Sequence, residues 1–156
     1  MNRAPTTLFP YTRIKGILPY GTPPFYAIVQ TDGSYSQRTE TTRVAAILRP
    51  SYLDRRQKRV QTVPVADSLL EAQWHSVAFG LQLALDEGER NIALENDTYD
   101  IIQGLVTPGT VFRHEYARHS KDQILKMCRK ADWVGARWIP KEHNRAGFLF
   151  MEFPLA

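Results

Sequence analysis

The amino-acid sequence predicts an α/β domain in which a five-stranded mixed sheet is flanked by helices. The first half of the chain alternates short β-branched segments with turn residues, which is typical of an antiparallel meander. The second half alternates helical and strand-like periodicity, which is typical of crossovers between parallel strands. We therefore expect three antiparallel meander strands, followed by parallel strands, in one sheet that carries helices on its faces.

The first half supplies the meander and an N-terminal extension. Residues 1–24 contain five prolines, which interrupt any long element, so we expect an extension followed by a single domain over residues 25–156. A basic segment, residues 52–59, is expected to form a hairpin tip. The three strands predicted here are residues 25–31, 41–48 and 59–65.

The second half begins with a helix predicted over residues 68–87. Apolar residues from Leu70 to Leu85 recur at helical spacing, Ser68 and Glu71 fit a capping box, and Gly88 fits a helix end. The remaining elements are predicted as a strand at 91–96, helices at 97–106 and 114–130, and a strand at 133–139, which is closed by Pro140.

Composition narrows the class of protein. The chain has 156 residues, of which 43% are hydrophobic, so it is long enough to bury a core without disulfides. The single cysteine, Cys128, excludes an intramolecular disulfide and favours an intracellular location. No apolar run approaches the roughly 18 residues of a membrane span. We expect a monomer that does not insert into membranes.

The charge of the chain is unevenly distributed along the sequence. Residues 1–66 hold 10 Lys and Arg against 3 acids, residues 67–112 hold 1 against 8, and residues 113–156 hold 9 against 5. An acidic middle between two basic ends could form an acidic pocket ringed by positive charge, which suits cations and a polyanion together. Ordinary solvated surface charge is the alternative.

Three acids lie at the ends of predicted elements. Asp32 ends the first strand, Glu71 opens the first helix, and Asp97 follows the fourth strand. If the first and fourth strands are parallel neighbours, these carboxylates meet at one sheet edge, where α/β proteins bind ligands. Three clustered carboxylates repel one another, and a hard divalent cation would relieve that repulsion.

Each acid also has a purely structural interpretation. Asp32-Gly33 is a common two-residue hairpin turn. Glu71 is the natural partner of Ser68 in a capping box. Asp97 fits an N-cap of the following helix.

Four short motifs follow one another along the chain. They are TDGS at 31–34, EAQ at 71–73 with AFGL at 78–81 and Ala84, NDT at 96–98, and WIPKEHN at 138–144. In this order they resemble the type-1 ribonuclease H family, over roughly residues 25–148. That family has a strand ending in TDGS, a helix with EAE-x-x-A-x-x-x-GL-x-x-A, a strand ending in D-[ST], and a late WVP-x-E-x-N stretch.

The resemblance implies a metal-dependent endonuclease that hydrolyses the RNA strand of RNA–DNA hybrids. Asp32, Glu71 and Asp97 would be its catalytic, metal-binding acids, with two ions of Mg²⁺ or Mn²⁺ as cofactors. His143 lies where the family carries a mobile histidine, which would help proton transfer or product departure. The residues expected to contact nucleic acid are Arg55, Arg56, Lys58, Ser34, Thr98 and Asn144.

The chain also departs from the family pattern. The family places a fourth acid four residues after the late Asn; here Phe148 stands there, or Gly147 if one residue is deleted. Glu152, one helical turn beyond Phe148, is a possible substitute metal ligand, although Pro154 limits a helix there.

The family's asparagines before the helix glutamate, which contact the RNA 2′-hydroxyl, are replaced by Ser68, Leu69 and Leu70. Two alternatives follow from these departures. One is a nuclease of the same fold that acts on another substrate, such as branched DNA, and the other is a non-catalytic nucleic-acid-binding module.

Overall fold

The computed structural model describes residues 10–16, 22–52, 55–110 and 112–154. Within them, six strands form one sheet in the order β1-β6-β5-β2-β3-β4. The strands are β1 Thr12–Gly16, β2 Ala27–Ser36, β3 Thr41–Arg49, β4 Gln57–Val63, β5 Asn91–Asn96 and β6 Trp133–Trp138. The helices are α1 Leu69–Asp86, α2 Tyr99–Val106, α3 Glu115–Cys128 and α4 Leu149–Glu152, with 3₁₀ turns at Lys141–His143 and Arg145–Phe148.

The topology confirms the predicted mixed sheet. Strands β2, β3 and β4 pair as an antiparallel meander. Strand β5 then pairs parallel to β2, and β6 pairs parallel to β5. Strand β2 therefore lies inside the sheet, between β3 and β5, and both of its neighbours help to position the residues that it carries.

Two features of the sheet differ from the sequence prediction. A sixth strand, β1, pairs antiparallel with β6, so this part of residues 1–24 belongs to the sheet rather than to an extension outside it. Residues 1–9 and 17–21 lie outside the described part of the chain. Strand β2 also continues past Asp32 to Ser36, so Asp32-Gly33 is not a hairpin turn. The turn comes later, where Glu40 has a positive φ of 50°.

The alternation of side chains along β2 separates two apolar clusters. Ala27 and Val29 face α1 and belong to the main core between the sheet and the helices. On the second face, the C-terminal segment, residues 141–154, packs against β3. Ala146 and Leu149 of this segment form a smaller cluster with Ala45 and Ile47 of β3. This segment therefore covers the second face of the sheet near β2 and β3.

Helix α1 lies close to the sheet because Gly80 has no side chain. A Cβ at Gly80 would lie 2.3 Å from Thr31 Cγ2 and 2.8 Å from Val29 Cγ1. The helix begins at the Ser68 cap, whose Oγ accepts from the Glu71 N–H at 3.1 Å. None of the helices within the described residues is long and apolar enough to cross a membrane.

We predict that Gly80→Ala destabilises the protein, although Gly→Ala in a helix normally stabilises by about 0.5–1 kcal/mol. The added methyl would push α1 away from β2, at a cost of about 1–3 kcal/mol for overpacking. Urea denaturation measures the free energy of unfolding. Gln82→Ala, at a more exposed position of the same helix, is the control and should change it by less than about 0.5 kcal/mol. Equal stability of Gly80→Ala and the wild type would contradict the close approach.

Candidate functional site

Asp32 and Asp97 meet where the parallel pairing of β2 and β5 ends. The register runs from Ala27 opposite Ile92 to Gln30 opposite Glu95, while β2 continues beside β3 as far as Ser36. Beyond this pairing, Asp32 lies on β2 and Asp97 follows the last residue of β5. The charge on Asp97 contributes to the raised pKa of Asp32, so the two carboxyls are close enough to interact.

The α1 side chain that contacts Asp32 is Gln73. Its Nε2 donates to Asp32 Oδ1 at 2.7 Å and to the carbonyl of Gly33 at 3.2 Å. Its Oε1 accepts from the Gly33 N–H at 3.2 Å and from Asn96 Nδ2 at 3.3 Å. Gln73 is only 6% exposed, so this neutral amide is a built-in part of the site.

Glu71, predicted as a metal ligand, lies in the helix cap instead. Its Oε1 accepts from the Asp67 N–H at 2.8 Å, and its Oε2 lies 3.4 Å from His75 Nε2. The capping interpretation of Glu71 is therefore the one that the structure bears out. The sequence did contain a signal for Gln73, because the second glutamate of the EAE pattern aligns with the last residue of EAQ at 71–73.

The position that faces Asp32 from the C-terminal segment is Gly147. A Cβ there would lie 2.8 Å from Asp32 Oδ2, which corresponds to the alignment with one residue deleted. Phe148 is 58% exposed and does not pack into the core. Glu152, the possible substitute ligand, pairs instead with Lys58 on β4, at 3.2 Å from Nζ to Oε1.

Two buried asparagines hold these elements together. Asn96 Nδ2 and Asn144 Nδ2 donate to the same carbonyl oxygen of Thr31, at 3.0 and 2.9 Å. Asn96 Oδ1 accepts from the Thr98 N–H, and Asn144 Oδ1 accepts from the Ala146 N–H. Asn144 is 2% exposed, so its amide positions the C-terminal segment and is not presented to a ligand.

Burial raises the pKa values of both aspartates. The pKa of Asp32 rises from 3.8 to about 6 because burial disfavours the charged form; the Gln73 donor opposes this shift, and Asp97 reinforces it. The pKa of Asp97 is raised by burial as well. Lys141 lowers the pKa values of both carboxyls, so it supplies a positive charge beside the pair. The sequence analysis did not single out Lys141.

The other residues predicted to contact nucleic acid or take part in catalysis either surround the Asp32–Asp97 pair on the second face of the sheet or lie at the ends of helices and strands. Half-buried Ser34 follows Asp32 on the same side of β2, and His143 is half-buried in the 3₁₀ turn Lys141–His143. Arg55 and Arg56 are exposed before β4, and Thr98 is the N-cap residue of α2. Arg56 and His143 both line a cavity on the second face of the sheet.

The residues present do not fit the two metal ions that the resemblance implies. Of the four acids in the family pattern, the site retains Asp32 and Asp97, with Gln73 and Gly147 at the other two positions. No group of three or more His, Cys, Asp or Glu side chains that could hold a metal occurs in the described residues. Two carboxylates supply fewer ligands than the family's four acids, and they leave most of the oxygen shells of two ions to water and substrate phosphates.

The raised pKa of Asp32 predicts a pH-dependent stability. Between pH values of about 4 and 6 the folded state binds the Asp32 proton and the unfolded state does not, so stability falls as pH rises through this window. Asp32→Asn keeps the acceptor for Gln73 and removes the charge. We expect it to be more stable by about 1–2 kcal/mol above pH 6, with no gain below about pH 4. Urea unfolding at several pH values checks this, and a gain that is independent of pH would contradict it.

A second prediction tests which α1 residue belongs to the site. Gln73→Glu removes a donor and places a carboxylate beside Asp32, so without metal it should lose about 2–4 kcal/mol at neutral pH. Mn²⁺ should restore part of this loss and raise Tm more than in the wild type, because the new carboxylate completes a set of three.

The matched control is Glu71→Gln, which keeps an acceptor at the cap. It should cost only about 0.5 kcal/mol through the helix dipole and leave the response to Mn²⁺ unchanged. If Mn²⁺ stabilises the wild-type protein strongly and this effect is lost in Glu71→Gln, Glu71 is a metal ligand after all.

Comparisons with known proteins agree with this fold. A family model described as reverse transcriptase-like matches residues 30–150. RNase H1 from the archaeon Halobacterium salinarum NRC-1 is 16% identical, with a TM-score of 0.69 over 77% of this chain and 89% of that chain. The N-terminal RNase H domain of rv2228c from Mycobacterium tuberculosis is 15% identical, with a TM-score of 0.68 over 77% and 86%.

A third structure, LC11-RNase H1 from a compost metagenome, was solved in complex with an RNA/DNA hybrid. It is 13% identical, with a TM-score of 0.67 over 79% of this chain and 92% of that chain. A search of curated proteins gives no significant match. At these identities the structural likeness shows the fold alone, and it confirms the resemblance to ribonuclease H. Since the family model spans most of its length, the chain belongs to the reverse transcriptase-like family, with a ribonuclease H-like fold.

Proposed function

We propose that this chain binds nucleic-acid duplexes, with RNA–DNA hybrids as its ligand, without the two-ion hydrolysis that the family resemblance implies. The observation that carries the proposal is the contact at Asp32. Where two further carboxylates are expected, Asp32 accepts a hydrogen bond from neutral Gln73 and faces Gly147. This is the non-catalytic alternative that the missing fourth acid raised, and the loss of a second acid strengthens it.

The charges around the site support binding to a polyanion. Lys141 lowers the pKa values of Asp32 and Asp97, so it offsets the negative charge that would repel phosphates. Arg55 and Arg56 are exposed in the loop before β4, where their guanidinium groups can contact backbone phosphates. Lys58 has a weaker role, since it pairs with Glu152. That LC11-RNase H1 was solved with an RNA/DNA hybrid supports the choice of ligand class.

The second candidate is the metal-dependent endonuclease predicted from the sequence, which cuts the RNA strand of the hybrid. The observation that favours it is the retained pair of carboxylates at the edge of the parallel strands, with pKa values raised as at many functional sites. Such an activity would depend on Asp32 and Asp97 alone. We expect it to be weak, and stronger with Mn²⁺ than with Mg²⁺, because Mn²⁺ binds more tightly to a given ligand set.

The start of α1 bears on the choice of nucleic acid. Ser68 Oγ is used by the Glu71 N–H, and Leu69 and Leu70 carry no hydrogen-bonding side chains. The residues that replace the family's 2′-hydroxyl contacts therefore give little discrimination of RNA, and branched DNA remains an alternative ligand. We propose that the protein acts as a monomer inside the cell, where the buried thiol of Cys128, with a pKa raised to about 12, stays reduced.

The binding proposal predicts a salt-dependent affinity for a fluorescently labelled RNA–DNA hybrid. Replacing Arg55 and Arg56 by Gln should weaken binding and lower the slope of log K against log salt by about 2, one unit for each phosphate contact. Arg90→Gln is the matched control because Arg90 lies at the amino end of β5, opposite the site, and pairs with Asp132. An unchanged slope in the double variant would contradict this interface.

Catalysis is tested on the same hybrid, on double-stranded RNA and on a four-way junction, with Mg²⁺, Mn²⁺ or EDTA. The proposal expects binding without cleavage under all three conditions. Cleavage that EDTA stops and Asp32→Asn abolishes would establish the endonuclease instead. Glu152→Gln should then leave the rate unchanged, since Glu152 pairs with Lys58. Cleavage that persists in excess EDTA would contradict both candidates.

A further inference from the structure

A separate cavity of about 210 Å³ lies on the second face of the sheet. Its floor is apolar and consists of Ile28, Ile47 and Ile139. On β2, Ile28 lies two residues from Gln30 and four from Asp32 on the same side of the strand, which places the cavity about 7–13 Å from Asp32. The cavity is therefore distinct from the carboxylate pair.

Three arginines from three separate elements surround this floor. Arg49 ends β3, Arg56 precedes β4, and Arg145 begins the 3₁₀ turn Arg145–Phe148. All three side chains are exposed at the rim. His143 also lines the cavity. Guanidinium groups present paired N–H donors that match the oxygens of a phosphate.

The single acid in the cavity lining, among the described residues, is already neutralised. Glu95 has a side chain that is only 4% exposed, and its Oε2 lies 2.6 Å from Arg137 Nη2 and 2.9 Å from Arg137 Nε. Gln30 Nε2 donates to Glu95 Oε1 at 2.9 Å. The positive charges of Arg49, Arg56 and Arg145 are therefore left in excess around the cavity.

Gln30 also fixes the rim. Its Nε2 donates to the carbonyl of His143 at 3.1 Å, and its Oε1 accepts from the Arg145 N–H at 2.9 Å. The backbone that carries His143 and Arg145 is thus bound to β2, in the middle of the sheet. A rim held in this way needs less ordering when an anion binds, which favours affinity.

The geometry points to a binding site for a single nucleotide, with its phosphate between Arg49, Arg56 and Arg145 and its base or ribose on the isoleucine floor. The volume is smaller than the roughly 300 Å³ at which pockets for drug-sized ligands begin, so the cavity would enclose only part of one nucleotide and leave no room for a second. The nucleotide is either free or the phosphorylated end of a strand. The site shares Arg56 with the proposed hybrid interface, but Arg49 and Arg145 belong to the cavity and are not part of that interface, so the inference can be tested apart from hybrid binding.

Calorimetric titration of the whole chain with adenosine 5′-monophosphate, adenosine and inorganic phosphate tests the site. We expect the nucleotide to bind more tightly than adenosine or phosphate alone, since only the nucleotide uses both rim and floor. Arg49→Gln and Arg145→Gln should each weaken its binding by roughly tenfold, the loss expected for a hydrogen bond to a charged group. The control is Arg90→Gln; Arg90 does not line the cavity and pairs with Asp132, so this variant should bind as the wild type does.

Two oligodeoxynucleotides, with and without a 5′-phosphate, identify the source of the nucleotide. Competition with adenosine 5′-monophosphate by the phosphorylated oligonucleotide alone assigns the site to strand ends, and competition by neither assigns it to free nucleotides. Equal binding of nucleotide and adenosine, or unchanged nucleotide binding in both arginine variants, would overturn the inference. The hybrid titration with Arg55 and Arg56 replaced is read separately, so failure of hybrid binding is distinguishable from failure of this site.

Discussion

The carbonyl oxygen of Thr31 holds together the three elements that form the site. It accepts from Asn96 Nδ2 at the end of β5 and from Asn144 Nδ2 at the start of the C-terminal segment. Both amides are buried, so replacing either by an apolar side chain would remove hydrogen bonds to buried polar groups, at a cost of about 1–3 kcal/mol. Because the two amides share one acceptor, β2, β5 and the C-terminal segment cannot shift independently. The approach of Asp97 and Gly147 to Asp32 depends on this arrangement.

The charge balance of the site depends on the groups that surround Asp32. A cluster of four carboxylates would require cations to neutralise it. Here Asp32 meets one carboxylate, one amide donor and the positive charge of Lys141. These neighbours only partly offset the burial of Asp32, whose pKa stays raised to about 6. A site with fewer carboxylates needs less cation charge to neutralise it, and this is the physical argument for the proposed binding without two-ion hydrolysis.

The acidic residues of the middle of the chain do not form a single acidic pocket. Of the acids in residues 67–112, Asp97 faces Asp32, Glu71 caps α1, and Glu95 is buried in an ion pair with Arg137. The positive ends of the chain meet on the second face, where Arg49 and Arg56 come from the first half and Arg145 from the last. The mixed sheet brings these distant segments together.

The sequence by itself determined the mixed sheet, its meander and the family, because periodicity and motif order are local properties that the backbone must obey. It also predicted that Asp32 and Asp97 would be neighbours if the strands before them were parallel neighbours, and β2 and β5 do pair in parallel. It placed Glu71 in the site, but the close packing of α1 on β2 brings Gln73, two residues further along α1, into contact with Asp32. Nor could it choose between Phe148 and Gly147, because a one-residue shift depends on how Asn144 attaches the C-terminal segment to Thr31.

Strand β1 was missed for a similar reason. Its five residues carry no strong pattern, and pairing with the exposed edge of β6 decides their conformation.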